Sequence, residues 1–299
     1  MKKSLLIILA FVILIVAGCS QASTSETVQG GIKTGINPNP DKLRVALLPD
    51  ESPATVIKNN KGLQEYLAKT LNKEVELIVT TDYSSMIEAM RKGQIEFAYF
   101  GPLSYVLLKQ KMEQVEPFAA KLEKGAPTYQ AVVIANADSG ISKLSDIKGK
   151  TVAYGDTAST SSHLIPKEML QNAGLTADKD YKQQFVGAHD AVAKAVQNGN
   201  AQAGGLSKPI FESLIEKGTI DKNKVKVIEE SKQFPNYPWA MNSELDPKLK
   251  EAIKKAMYDL KDTAILKALK TEGFVAIKDQ DFDVIRNMVK LLGIDLEKM

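Results

Sequence analysis

The sequence contains very little cysteine and histidine. Among 299 residues there is one cysteine, Cys19, and there are two histidines, His163 and His189. A single cysteine excludes a disulfide within the chain and a cysteine-rich metal site, and two histidines argue against a histidine-based zinc site. The formal net charge is only +3, whereas nucleic-acid-binding proteins usually show a strongly basic face. We therefore expect no metal, no cofactor and no nucleic-acid partner.

The sequence also lacks an apolar run long enough to span a bilayer. The longest run covers residues 5–17, which is shorter than the ~20 residues that a transmembrane helix needs. Two lysines precede this run and small residues follow it, as in a secretory leader. The leader ends in Val16-Ala17-Gly18-Cys19, which resembles the lipobox of bacterial lipoproteins. We expect residues 1–18 to be a signal peptide and Cys19 to carry a lipid anchor; the alternatives are a plain anchor helix or an ordinary cleavage site.

The segment after Cys19 has the composition of a flexible tether. Residues 20–40 are rich in Ser, Thr, Gln, Gly, Asn and Pro. Such a segment cannot bury enough apolar surface to offset the entropy lost on ordering. We therefore predict a tether over residues 19–41 and a folded part that begins beside it.

From residue 42 onward, short apolar strands alternate with amphipathic helices. This order predicts βαβ units and a mostly parallel sheet. The alternation pauses near residue 130 and then restarts, without a short internal repeat. We therefore predict two α/β lobes, one formed by residues 42–131 and 236–299 and the other by residues 132–235.

Several predicted helices begin where strands end. In open α/β sheets, ligands bind beyond the carboxyl ends of the strands. Four helix starts are expected at this edge, at residues 81–83, 101–102, 159–162 and 187–190. Each start offers free N–H groups and a partial positive charge, so several of them together favour an anion.

A run of three hydroxyl residues gives the strongest local signal for such a site. Ser159, Thr160 and Ser161 stand between a predicted strand and a predicted helix. Hydroxyl and backbone N–H donors can hold a tetrahedral oxyanion without Lys or Arg. The alternative interpretation is a polar helix cap with spare serines, since Ser and Thr are common at helix starts.

Segments throughout the folded part resemble the substrate-binding proteins of phosphonate ABC transporters. These segments are LRVALLP at 43–49, DYSSMIEAMRKGQIEFA at 82–98, YFGPLSY at 99–105, LSDIKGK at 144–150, STS at 159–161 and GAHD at 187–190. The match runs from about residue 42 to residue 293. The resemblance implies an α/β type II periplasmic-binding-protein fold, with two α/β lobes joined by a hinge and the ligand cleft between them.

The resemblance also implies a set of residues that hold the phosphonate group. They are a tyrosine in the D-Y motif, a second tyrosine near the first lobe crossing, the S-T-S run and the histidine of the G-x-H-D motif, which correspond here to Tyr83, Tyr129, Ser159, Thr160, Ser161 and His189. His189 can donate one N–H as a neutral imidazole or two as an imidazolium. We expect a monomer that does no chemistry on its ligand. It would be lipid-anchored outside the cytoplasm and would deliver a small anion to an ABC transporter permease.

The sequence departs from the family pattern at two places. Ser162 and His163 follow the S-T-S run where the family usually has Gly, which would either add a donor or narrow the pocket. Aminoalkylphosphonate-binding members use carboxylates for the amine, yet residues 204–208 contain no acid. Methylphosphonate, phosphite and 2-aminoethylphosphonate all stay open as ligands.

Other functions compete with this interpretation. A serine hydrolase would use Ser161, His189 and Asp190, but no G-x-S-x-G elbow is present, and the acid is adjacent to the histidine. The same fold can bind phosphate, a sulfonate or another small anion, or can serve a signalling lipoprotein. We expect Trp239 to pack in the core or hinge, and His163 to be either a surface cap or a support for a ligand contact.

Overall fold

The computed structural model describes residues 36–298. The predicted signal peptide and Cys19 lie outside the described residues, as does most of the predicted tether. Within the described part, no helix has both the length and the apolar character that a membrane crossing requires.

The described part is a mixed α/β structure. Its strands are β1 Lys42–Leu47, β2 Glu74–Val79, β3 Phe97–Tyr99, β4 Val115–Lys121, β5 Thr128–Tyr129, β6 Ala131–Asn136, β7 Thr151–Tyr154, β8 Lys182–Phe185, β9 Ala203–Ser207, β10 Val225–Glu230, β11 Phe234–Pro235, β12 Pro238–Asn242 and β13 Phe274–Val275. Its α-helices are α1 Pro53–Leu71, α2 Tyr83–Arg91, α3 Pro102–Lys111, α4 Ile165–Asn172, α5 His189–Gln197, α6 Lys208–Glu216, α7 Pro247–Tyr258, α8 Thr263–Ala268 and α9 Asp283–Leu291. The alternation of strands and helices expected from the sequence is confirmed.

The strands form two main sheets, and both are mixed. The larger has the order β13-β4-β12-β3-β1-β2 and the smaller has the order β10-β6-β9-β7-β8. Parallel pairing is confined to β1 with β2 and β3, and to β7 with β8 and β9; the other pairs within these sheets are antiparallel. The prediction of a mostly parallel sheet is therefore wrong. Parallel neighbours are joined by a crossover connection within one sheet. β6 and β12 instead arrive from the other sheet, and both pair antiparallel with their neighbours.

Two short segments connect the sheets. The chain leaves the larger sheet after β4 and returns to it at β12. The two crossings pair with each other as a small antiparallel ribbon, in which Tyr129 of β5 lies opposite Phe234 of β11. This ribbon fixes Tyr129 between the two sheets. The residue limits predicted for the two lobes stay a prediction.

Amphipathic helices cover the faces of the larger sheet. On one face, Leu63 and Leu67 of α1 and Ile253 of α7 pack against the sheet. On the other face, Met86 of α2 and Ile285 of α9 belong to a second buried cluster. Each of these helices shows apolar residues at the three-to-four-residue spacing of one helix face, and burial of each such side chain contributes ~1.5–3 kcal/mol.

A glycine lets a helix approach the smaller sheet closely. A Cβ at Gly205 of β9 would lie 2.1 Å from Cγ of Pro166 in α4. No side chain other than hydrogen fits at this position. The close contact seats α4 on the sheet and thereby places the segment that precedes it, which contains the Ser/Thr run.

Candidate functional site

The carboxylate of Asp156 joins two of the predicted helix starts, at residues 81–83 and 159–162. Asp82 caps α2, because its side chain accepts the Ser85 N–H at 2.7 Å. The carboxylate of Asp156 accepts the N–H of Tyr83 at 3.2 Å and the N–H of Ala158 at 2.7 Å. The first residue of α2 is therefore held against the loop that leads into the Ser/Thr run.

The Ser/Thr run enters α4 through a π-helical turn, Thr160–Leu164. The Ser159 hydroxyl caps this turn by accepting the Ser162 N–H at 3.2 Å. The Thr160 hydroxyl accepts the Leu103 N–H at the start of α3, at 2.7 Å. Since both oxygens accept from a backbone N–H, their own O–H groups are free to donate elsewhere. Single π turns of this kind are frequent at functional sites.

Tyr237 joins the run, and sequence reasoning missed it. Its hydroxyl lies 3.0 Å from the hydroxyl of Ser161. Its ring stacks on Tyr99 at 5.5 Å between centroids and meets the Tyr129 ring edge-on at 5.0 Å. The available signal was an aromatic residue inside a crossing segment, directly before Pro238. The crossings thus supply an aromatic layer beside the hydroxyl run.

The structure assigns the tautomer of His189. Its Nδ1 accepts the Ser207 N–H at 3.1 Å, and its own backbone N–H donates to the Asp50 carbonyl at 2.9 Å. Burial, together with the positive charge of Lys270, lowers the pKa of His189 to about 3. A neutral ring that accepts at Nδ1 carries its proton on Nε2. Of the two forms that the sequence left open, His189 therefore takes the neutral one, with a single donor.

Three of the predicted site residues carry buried polar atoms that lack a partner. Within residues 36–298, Oη of Tyr83, Oη of Tyr129 and Nε2 of His189 are fully enclosed and form no hydrogen bond. Burial raises the pKa of both phenols; the nearby hydroxyl of Ser159 opposes this rise for Tyr83, as that of Ser161 does for Tyr129. Both phenols therefore stay protonated and can donate, and both lie beside the hydroxyl run.

A small cavity adjoins this cluster. Its volume is about 70 Å³, and Tyr129, Ser207 and Tyr237 form part of its wall. A water needs roughly 10–15 Å³ of such space, so the cavity holds about five non-hydrogen atoms. Apolar side chains form part of the remaining wall, and charged and amide side chains form the other part: Asp50, Glu51, Asn59, Asn60, Lys121, Glu123, Asn236 and Lys270. No acid was assigned to the site from the sequence, because one was sought only in residues 204–208.

Ser162, one of the two departures from the family pattern, is buried beside Gly155, and its hydroxyl has no hydrogen-bond partner. A Cβ at position 155 would lie 2.1 Å from the Ser162 hydroxyl, so Gly155 provides the space that this oxygen fills. The cavity lining does not include Ser162, and it does not include Ser159, Thr160 or Ser161 either. The expectation that Ser162 adds a donor to the pocket or narrows it stays a prediction.

His163, the other departure, supports the loop before the Ser/Thr run. It is 5% exposed, and its Nδ1 bonds the Thr157 carbonyl at 2.7 Å. Its ring packs edge-on against Phe185 at 5.0 Å and Tyr154 at 5.3 Å. The surface-cap interpretation of His163 is therefore wrong.

Trp239 lies both in the core of the larger sheet and in the wall of the cavity. Its ring packs against Phe97 and Tyr99 in the core of the larger sheet, as expected. The same residue also lines the cavity, and its indole N–H is buried without a partner.

The geometry does not form a hydrolytic triad. The Ser161 hydroxyl pairs with Tyr237, and Nδ1 of His189 is taken by a backbone N–H. The Asp190 carboxylate pairs with Lys194 at 3.1 Å. These side chains therefore do not form the oriented Ser-His-Asp chain that nucleophilic catalysis needs. In the described part of the chain, no group of His, Cys, Asp or Glu side chains is arranged to hold a metal ion.

Known proteins resemble this chain in fold and in sequence. The chain is 29% identical to the phosphate-import protein PhnD of Mycolicibacterium smegmatis, over 92% of each chain. A structure of PhnD1 from Prochlorococcus marinus in complex with methylphosphonate superposes with a TM-score of 0.80 at 21% identity, covering 85% of this chain and 99% of that one. A binding protein of an ABC phosphonate transporter from Pseudomonas aeruginosa gives a TM-score of 0.78 at 22% identity, covering 84% and 86%.

These similarities confirm the fold expected from the sequence, with two α/β lobes joined by a hinge. The family model for the periplasmic substrate-binding proteins of phosphonate ABC transporters matches residues 45–282. This span includes all six residues that the sequence predicts for the phosphonate site, from Tyr83 to His189. The chain belongs to the family of periplasmic substrate-binding proteins of phosphonate ABC transporters.

Proposed function

We propose that this protein captures a small phosphorus oxyanion of the phosphonate type and delivers it, chemically unchanged, to an ABC transporter permease. One observation carries the proposal: Tyr83, Tyr129 and His189 each present a buried polar atom without a partner. Buried polar groups in folded proteins are almost always paired. Three unpaired groups of the donor type in one place therefore indicate an acceptor-rich ligand.

The energetics favour an anion. A buried donor without a partner costs ~1–3 kcal/mol, whereas a hydrogen bond to a charged group contributes ~1.5–3 kcal/mol. The hydroxyls of Ser159 and Thr160 add two donors whose oxygens are already held by backbone N–H groups. A fully ionised oxyanion accepts from all of these groups at once, and the nearby helix starts add partial positive charge.

Size restricts the ligand further. A headgroup among the donors leaves the adjoining cavity of about 70 Å³ for the substituent. Phosphite, phosphate and methylphosphonate fit this arrangement, whereas a sugar does not. Two relatives agree with this choice of ligand, since one is named a phosphate-import protein and another binds methylphosphonate.

We further propose that the mature chain begins at Cys19 and is held to the membrane by a lipid on this residue. The support is the sequence Val16-Ala17-Gly18-Cys19 after a short apolar run. A monomer tethered outside the cytoplasm by residues 19–41 would remain close to its permease while its two lobes open and close.

A panel of melting curves of the purified protein tests the ligand class. A ligand at a hundredfold excess over its Kd stabilises the folded state by ~2.7 kcal/mol, which raises the melting temperature by about 5–10 °C for a chain of this size. We expect such a shift with at least one of methylphosphonate, phosphite and phosphate, and none with glucose or alanine. A shift with glucose alone, or with an alkanesulfonate alone, would overturn the proposal.

A further inference from the structure

Lys121 brings a positive charge into the cavity beside the proposed anion site. It is the last residue of β4, and its ammonium lies 4.4 Å from the centre of the Tyr99 ring. Its backbone carbonyl accepts the side-chain amide of Asn236 at 3.2 Å, which fixes the end of the strand. Among the described residues, no carboxylate lies within 4.0 Å of this ammonium and no acceptor hydrogen-bonds it.

The Lys121 ammonium contacts the aromatic layer that lies beside the hydroxyl run. Tyr99, which it faces, stacks on Tyr237 at 5.5 Å, and Tyr237 bonds Ser161 of the hydroxyl run. Lys121 and Tyr237 both line the cavity. A substituent that extends from an anion at the hydroxyl run therefore enters the space that Lys121 faces.

A lysine already neutralises one of the three acids that line this cavity. Glu51 is paired with Lys270 at 2.9 Å. Asp50 and Glu123, the other two acids, have no such partner among the described residues; burial raises the pKa of both, and the charge of Glu51 adds to the rise for Asp50. Burial lowers the pKa of Lys121, and the charge of Asp50 opposes that change, so these two groups interact across the cavity. A ligand ammonium would have to compete with Lys121 for Asp50.

We propose that Lys121 determines which substituent the site accepts, because its ammonium occupies the place that a cationic substituent would need. The protein then binds phosphorus oxyanions with no substituent or with a small uncharged one, and rejects aminoalkylphosphonates. Like charges placed together in a desolvated site repel strongly. This inference rests on the proposed function of the same cleft.

Calorimetric titration of the purified protein with methylphosphonate and with 2-aminoethylphosphonate tests it. We expect the wild type to bind methylphosphonate about tenfold or more tightly than 2-aminoethylphosphonate. In Lys121→Met and Lys121→Gln this ratio should fall by about tenfold or more, because Asp50 is released to take the ligand ammonium. Lys121→Arg keeps the charge and should keep the preference. Lys250→Gln is the matched control, since Lys250 faces Glu116 at 3.7 Å outside the cavity.

The outcomes separate this inference from the proposed function. Equal binding of both phosphonates by the wild type overturns the role of Lys121 and leaves the anion site intact. A preference that survives in Lys121→Met, or that is lost in Lys121→Arg, also overturns it. If the Lys121 variants do not fold, which their melting curves reveal, the wild-type ratio alone decides. Failure of every phosphorus oxyanion to bind the wild type would instead refute the proposed function.

Discussion

The substitution Tyr83→Phe removes a single oxygen atom that has opposite roles in the free and the bound protein. In the structure this hydroxyl is buried without a partner. An unpaired buried hydroxyl costs ~1–3 kcal/mol, so its removal sacrifices no hydrogen bond of the folded state. We therefore expect the melting temperature of the ligand-free variant to be unchanged or higher than that of the wild type.

Ligand binding should respond in the other direction. The Tyr83 hydroxyl is one of the proposed donors to the anion, and a hydrogen bond to a charged group contributes ~1.5–3 kcal/mol. At 1.4 kcal/mol for each factor of ten, its loss should weaken methylphosphonate or phosphite binding by about ten- to a hundredfold. Tyr129→Phe, which removes the second unpartnered phenol, should behave in the same way.

Tyr105→Phe provides the matched control. Tyr105 of α3 is also buried, but its hydroxyl donates to Asp279 at 2.6 Å. No residue of α3 lines the cavity. Losing this bond to a carboxylate should cost ~1.5–3 kcal/mol, which lowers the melting temperature by about 3–12 °C for a chain of this size. Affinity should stay the same.

Melting curves without ligand and calorimetric titrations with methylphosphonate and phosphite measure both effects. The reasoning predicts a crossed pattern: Tyr83→Phe loses affinity but not stability, and Tyr105→Phe loses stability but not affinity. If Tyr83→Phe melts lower, as Tyr105→Phe does, and still binds as tightly as the wild type, then Tyr83 is only a structural residue and the donor site is wrong.

Three further predictions concern other parts of the chain. Cys19→Ser should release the protein from membranes or block its processing; a membrane-bound, normally processed variant in a fractionation experiment would contradict the lipid anchor. Burial lowers the pKa of His163 to about 4 from 6.5, so the wild type should lose ~1.4 kcal/mol of stability per pH unit from this group as the pH falls from 6.5 towards 4. In His163→Asn, which keeps a donor for the Thr157 carbonyl, the free energy of unfolding from denaturant titrations should fall less steeply with pH by that amount. An equal slope in the wild type and the variant would refute the assignment. Gly155→Ala places a Cβ 2.1 Å from the Ser162 hydroxyl and should cost ~1–3 kcal/mol, and Ser162→Gly should restore part of this loss in the double variant, whereas additive losses would show that the two positions are not coupled.

Local signals in the sequence predicted most of the secondary structure. Asp82 precedes α2 and caps it, Gly101-Pro102 opens α3, and Asp246-Pro247 opens α7. These signals are reliable because a cap or a fixed φ acts within a few residues of itself. The Ser/Thr run was found for the same reason, since its three members are adjacent in the chain.

The features that the sequence did not reveal depend on residues far apart in the chain. Tyr237 reaches Ser161 only because the second crossing returns beside the first. The mixed pairing of both sheets has the same origin, because β6 and β12 arrive from the opposite sheet. A resemblance to a family indicates which motifs converge, but a residue without a motif, such as Tyr237, leaves no trace in it.

The sequence by itself predicted a signal peptide with a lipid anchor, the order of strands and helices and the donor chemistry of the hydroxyl run, because each of these depends on neighbouring residues. Only the tertiary structure decided the protonation of His189, since this depends on the Ser207 N–H that its ring accepts. The tertiary structure likewise decided the charge of the cavity, which Asp50 from the loop after β1 and Lys121 from the end of β4 both line although they are far apart in sequence. The pKa of a buried group and the partner of a donor are properties of the surrounding space, and that space exists only once both sheets have packed.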